Sequence, residues 1–181
     1  MPEELTKETS SNDKEQSGYF QFSSDAKSFY NSIKNNSATG TFEVQLNFYM
    51  LCANLGLAAY DKDKTLPDPP KVGNEATNDF TGYTRNSQIL NRSFLMYQYL
   101  NSLGYTKKEL NEDGAEQIER SMDVFLQSSG SKLSNKGMKL LDTFAQKGWD
   151  LIKEANYHHI NDFALFLCRY IDLLSKYTEK E

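Results

Sequence analysis

The sequence predicts an all-α protein: a single compact bundle of about six helices over residues 19–181, behind a disordered acidic tail at residues 1–18. Three observations carry that expectation. Apolar residues recur at helical spacing through most of the chain. Val and Ile are sparse, and no alternating run with hairpin glycines suggests a strand. Capping residues and glycines punctuate the apolar stripes, and the short connections imply antiparallel neighbours.

The segments follow in order. Met1–Ser17 is rich in Glu, Lys, Ser and Thr and offers almost nothing to bury. Tyr19, Phe20 and Phe22 then tuck an extended segment against the core. Ser23 or Ser24 caps a first helix whose Ala26, Phe29, Tyr30 and Ile33 fall on one side. Asn35, Asn36 and the residues to Gly40 end it. The central helix, Thr41–Leu57, is the least polar stretch. Phe42, Leu46, Tyr49 and Cys52 form one stripe; Val44, Phe48, Leu51 and Leu55 form another. Together they cover most of its circumference, so it is packed on several sides. Gly56 is expected to stop it.

A loop from about Ala59 to Asn86 follows, with Pro67, Pro69 and Pro70, pinned by Phe80 and Tyr83. Ser87 caps a third helix whose apolar face is Ile89, Leu90, Phe94, Tyr97, Leu100 and Leu103. Thr106 and Glu109 have capping-box spacing and start a short helix or turn. Another helix runs from about Asp113 to Ser128, with Ile118, Met122, Phe125 and Leu126 inward. Ser134 caps a helix bearing Met138, Leu141, Phe144, Ala145, Trp149 and Ile152. The last helix begins near Asn161 and carries Phe163, Phe166, Leu167, Tyr170, Ile171 and Leu174.

Composition narrows the function classes. A hydrophobic content of 38% and a mean hydropathy of −0.68 describe a hydrophilic chain, but 13% aromatic residues supply large buried areas. The net charge of −5 disfavours nucleic-acid binding over the whole surface and leaves room for a local basic patch. No run of about 18 apolar residues suggests a membrane span, and the N-terminus lacks the basic start and apolar stretch of a secretory signal. The expected location is the cytoplasm, with no membrane partner. Cys52 and Cys168 read as two reduced core cysteines.

No catalytic constellation stands out, and no enzyme activity, cofactor or metal is expected. His158 and His159 are the two histidines. Glu154 and Asp162 lie four residues either side of His158, which leaves an acid–base or metal reading open beside a simple helix-end pair. No zinc spacing is present. KVGNEATNDFTG lacks a P-loop lysine and follows no strand. Glu109, Glu112, Asp113, Glu116 and Glu119 read as a solvated face. Lys132, Lys136 and Lys139 crowd the start of a helix, where the macrodipole favours anions instead. Two readings follow. Either they are solvated at a cost of a few tenths of a kcal/mol, or they and the helix N-terminus contact a phosphate backbone. Lys107, Lys108, Arg85 and Arg92 would widen such a patch.

The order of features from Thr41 to Leu103 resembles DndE, the small helical component of bacterial DNA phosphorothioation systems. A helix carries Leu51-Cys52 and then Leu55-Gly56-Leu57. Leu66-Pro67-Asp68-Pro69 follows, then Gly73, Glu75, Phe80, Tyr83 and Thr84, then another amphipathic helix. The resemblance implies a non-catalytic, oligomeric, helical accessory subunit of a DNA-modification or genome-defence assembly. Its partners would be the other subunits and DNA. This chain is longer at both ends and lacks a dense basic face in the matching region, so no binding residue is carried over. The rival expectation is a protein–protein adaptor or self-assembling scaffold without nucleic-acid contact, favoured by the acidic charge and many aromatics. Self-association is expected through the Pro-rich loop or the last helix, whose apolar residues cover more than one stripe. The alternative is a last helix that is internal on all sides.

Overall fold

A computed structural model describes residues 19–63, 65, 74–78, 93–94, 96–97, 99–100, 114–125 and 133–179. The expected tail, the capping box at Thr106–Glu109 and most of the Pro-rich loop lie outside those residues. The elements are β1 (Tyr19–Phe22), α1 (Ser24–Asn36), α2 (Gln45–Asp63), β2 (Asn74–Asn78), α3 (Gly114–Phe125), α4 (Asn135–Glu154), a 3-10 turn at Tyr157–His159 and α5 (Phe163–Thr178). Residues 93–94, 96–97 and 99–100 are also helical. The protein is mostly helical, as expected.

The core is aromatic and centres on α2. Phe48 has ring neighbours from five segments of the chain: Phe22 and Phe29 at 5.5 Å, Phe42 at 5.4 Å, Trp149 at 5.9 Å and Phe166 at 6.0 Å. Ten residues of α2 are buried and cover well over half of its circumference, while Asn47, Leu51, Asn54 and Ala58 share a half-buried face. A helix covered over so much of its surface has little polar face, which is why its sequence reads as two merged stripes.

Gly56 does not stop α2, which continues to Asp63. It serves the approach of α4 instead. A Cβ on Gly56 would lie 1.9 Å from the Phe144 carbonyl oxygen, and a Cβ on Gly148 would lie 1.9 Å from the Cys52 carbonyl oxygen. The two helices therefore touch backbone to backbone, each through a glycine. Such a crossing admits Cα–H···O contacts and excludes any side chain. What ends α2 is polar. Lys147 of α4 is buried and its Nζ donates to both carboxylate oxygens of Asp63 (2.7 and 2.8 Å), and to the Thr65 carbonyl (2.5 Å) and hydroxyl (2.8 Å).

β1 and β2 pair antiparallel, an element the sequence did not suggest. Phe20 and Phe22 alternate into the core as expected, but the partner strand reads NEATN, which has no apolar alternation at all. Its pairing is a backbone event. The register breaks between Phe20 and Gln21, and the Gln21 N–H donates to the buried carboxylate of Asp142 on α4 at 3.0 Å. Tyr49 of α2 donates its hydroxyl to the same oxygen at 2.8 Å. One carboxylate thus joins three elements.

The start of α5 is held by the α1–α2 connection. Ser37 Oγ accepts from the Phe163 N–H, Thr39 Oγ1 from the Ala164 N–H, and Asp162 Oδ1 from the Leu165 N–H. Three exposed first-turn donors are satisfied by side chains from two segments. Gly40, at φ +133°, makes the turn that brings this connection against Phe163. Tyr170 donates to the Leu51 carbonyl at 2.9 Å and ties α5 to the middle of α2.

Candidate functional site

The three lysines fare differently. Lys132 lies outside the described residues. Lys136 and Lys139 are exposed in the first two turns of α4, with no acid in the first turn and no ion pair to a described residue. Ser134 caps the helix as expected, and its Oγ accepts from the Gly137 N–H at 2.9 Å. That bond occupies one of the donors an anion would use. Leu133 and Met138, at the two hydrophobic-staple positions, are both buried and hold the helix start in place. The two described lysines therefore project from a rigid helix end.

Among the described residues neither histidine bonds to Glu154 or Asp162. Their rings lie tilted at 45° with centroids 3.8 Å apart in the 3-10 turn after α4, which Asn156 sets up with a positive φ. Asp162 is committed to the α5 cap and to Thr39, at 2.9 and 2.8 Å. Among the described residues, no three His, Cys, Asp or Glu side chains gather as a metal set. Glu116 and Glu119 are exposed, as expected for a solvated face, and Glu116 pairs with Arg120. Cys52 is buried, and burial pushes its thiol well above the usual range. Cys168 is exposed, so the expectation of two core cysteines holds for one of them.

The site the sequence reading missed is an open cleft of about 480 Å³ between α2 and α5. Asn47, Met50, Leu51 and Asn54 form its floor at i, i+3, i+4 and i+7 of α2. Phe163 and Leu167 form one wall and Phe94 stands opposite. Leu51 was expected inside; it is half-buried and belongs to the cleft. Phe94 and Tyr97 were expected to face inward too. They are 48% and 67% exposed, while Met96 and Tyr99 pack on the core. A sequence signal existed. Two asparagines seven residues apart bracket Met50-Leu51 in an otherwise apolar helix, and a surrounded helix has no use for amides. Asn54 Oδ1 is buried and accepts no hydrogen bond. An acceptor left in that state costs about 1–3 kcal/mol.

The cleft is mixed: Thr41, Glu43, Asn47 and Asn54 stand among Phe42, Met50, Leu51, Phe94, Phe163 and Leu167, a combination suited to recognition. Glu43 is the single ionisable side chain among its described lining residues. The molecule is thus, by fold and site, a mostly helical protein with an open cleft of mixed polarity on its central helix. Among the described residues no helix is long and apolar enough to cross a membrane. Comparison with protein-family models, with curated proteins and with solved structures finds no match to this chain. The likeness to DndE therefore rests on the order of its motifs.

Proposed function

We propose that this chain is a non-catalytic helical accessory subunit that works by docking another protein of its assembly in the α2–α5 cleft. The observation that carries the reading is the exposed Phe94 in that cleft, beside half-buried Leu51 and Leu167. The partner supplies an apolar side chain to cover Leu51 and Phe94. Aromatic and aliphatic anchors in such pockets carry most of the binding energy at protein interfaces.

A second reading keeps DNA as a further partner, through the phosphate backbone. Exposed Lys136 and Lys139, which pair with no described residue, support it, as does the DndE-like order of motifs. Such contacts give salt-dependent affinity without base preference.

One experiment separates the two. A photo-crosslinking amino acid is placed at Leu51, at Lys139 and, as a control, at Lys34 on the exposed side of α1. In the cells that make the protein, the docking reading expects one discrete protein adduct at position 51, lost when Phe94→Glu is added. The backbone reading expects DNA adducts at position 139. Adducts at 51 no different from those at 34 would remove the docking proposal. Anisotropy on short duplex DNA completes the second arm: Lys136→Glu with Lys139→Glu should flatten the salt slope by about one unit per lost phosphate contact.

A further inference from the structure

The outer side of α5 is built to meet a copy of itself. Phe166, Tyr170 and Leu173 face the core. On the opposite side Ala164, Leu165, Cys168 and Ile171 are exposed, Leu165 by 48% and Ile171 by 62%. At 3.6 residues per turn, Cys168 falls at the centre of that outer face. Leu165 and Ile171 flank it, one on each side and each three residues away. Ala164 and Ser175 lie close to the same line as Cys168. Exposed Asp172 lies as near that line on the Leu165 side, so the face is a seam of small residues and one carboxylate between two large apolar side chains.

The spacing is self-complementary in one orientation. We infer that two copies of this chain associate through antiparallel α5 helices with the two-fold axis at Cys168. Leu165 of each copy is then level with Ile171 of the other, and the two close the seam from both sides. Charge selects the same orientation. Lys176 stands near the end of α5 and Asp162 at its start. Antiparallel pairing brings Lys176 of one copy to within about 3 Å, along the axis, of the level of Asp162 in the other. A parallel pair sets Lys176 beside Lys176, Asp162 beside Asp162, and aligns the two helix dipoles. Arg169 points away from the seam and pairs with Asp172 of its own helix at 3.6 Å. The inference uses α5 alone and is independent of the cleft on its other flank.

A seam one helix long buries less than the roughly 800 Å² per partner of a standard interface, so the dimer forms at tens to hundreds of micromolar. The test uses the full chain. Light scattering across that range should show the mass rising towards two chains. Leu165→Glu with Ile171→Glu should hold it at one chain, with helical circular dichroism unchanged because both side chains are exposed. Diamide should link the dimer by taking one hydrogen from each Cys168 thiol as the two sulfurs join, and Cys168→Ser should prevent it. Orientation is read by spin labels on Lys176→Cys in the Cys168→Ser background. Antiparallel helices place them about 24 Å apart along the axis, from sixteen residues of 1.5 Å rise. A one-chain mass at several hundred micromolar, a dimer that survives the double glutamate variant, or labels side by side would each overturn the inference.

Discussion

Gly148→Ala should be among the most damaging single-methyl changes in this protein. In an exposed helix the same change is stabilising by about 1 kcal/mol, because alanine loses less backbone freedom on folding. Here the added Cβ meets the Cys52 carbonyl oxygen at 1.9 Å and the Cys52 carbonyl carbon at 2.7 Å, both backbone atoms. Ordinary contact begins near 3.4 Å, so α2 and α4 must part by about 1.5 Å. Side chains cannot yield to relieve it. The gap would run along the helix pair, past Leu141, Phe144 and Ile152, which are buried. Overpacking costs typically 1–3 kcal/mol and more where backbone must move. After the propensity gain we expect a net loss of about 3 kcal/mol. For a chain of this size that lowers Tm by roughly 6–12 °C. Thermal and urea unfolding followed at 222 nm measure it. Gly56→Ala should behave alike, since its Cβ meets the Phe144 carbonyl oxygen at the same distance. The double variant should cost less than the sum, because one separation accommodates both methyls. A Gly148→Ala protein with unchanged or raised Tm would refute the backbone contact.

Three further outcomes follow from the buried polar groups. Burial pushes the Asp142 carboxyl up to about 7, against the bonds from the Gln21 N–H and Tyr49. Between pH 3.8 and 7 the folded state therefore keeps a proton that the unfolded chain releases. Stability should fall as pH rises through that window, by up to about 4 kcal/mol, and level off above it. Asp142→Asn keeps the acceptor and should remove the slope; a slope that persists in the variant would contradict the assignment. Lys147→Met should cost about 1–2 kcal/mol in urea unfolding, since Thr65 loses its donor while half-exposed Asp63 is rehydrated. Trp149→Phe should cost about 2–3 kcal/mol, largely from the smaller ring in a buried site. It also removes the 2.9 Å bond from Trp149 Nε1 to Asp25. Partial burial opposes ionisation of Asp25, but Ser23, Trp149 and Lys153 outweigh it and hold the carboxyl well below the usual range. That contribution is present above pH 3.8 and lost as pH falls below it, so the variant should acid-unfold at a higher pH.

Several features were legible in the sequence because local chemistry decides them. Ser134 caps α4 because a serine oxygen one turn before an apolar run can reach Gly137 N–H whatever the rest of the fold does. The stripes of α1 and α4 point inward because apolar side chains at helical spacing leave a helix no other face to bury; on α5 Phe166 and Tyr170 follow the same rule, while Ile171 of the expected stripe is exposed. The two-sided apolar pattern of α2 likewise marked it as central. Other features depend on what lies opposite in space. Gly56 reads as a helix stop until Gly148, far along the chain, arrives to fill the space its missing side chain leaves. NEATN reads as loop because its strand is made by backbone bonds to β1, which side-chain pattern does not encode. Leu51 and Phe94 look like core residues, and only the packing of α2 against α5 leaves them at the rim of a cleft. Cys168 sits in an apolar run like Cys52, yet the helix it occupies has a neighbour on one side alone. Periodicity says which residues share a face of a helix; only the tertiary structure decides which of those faces is covered.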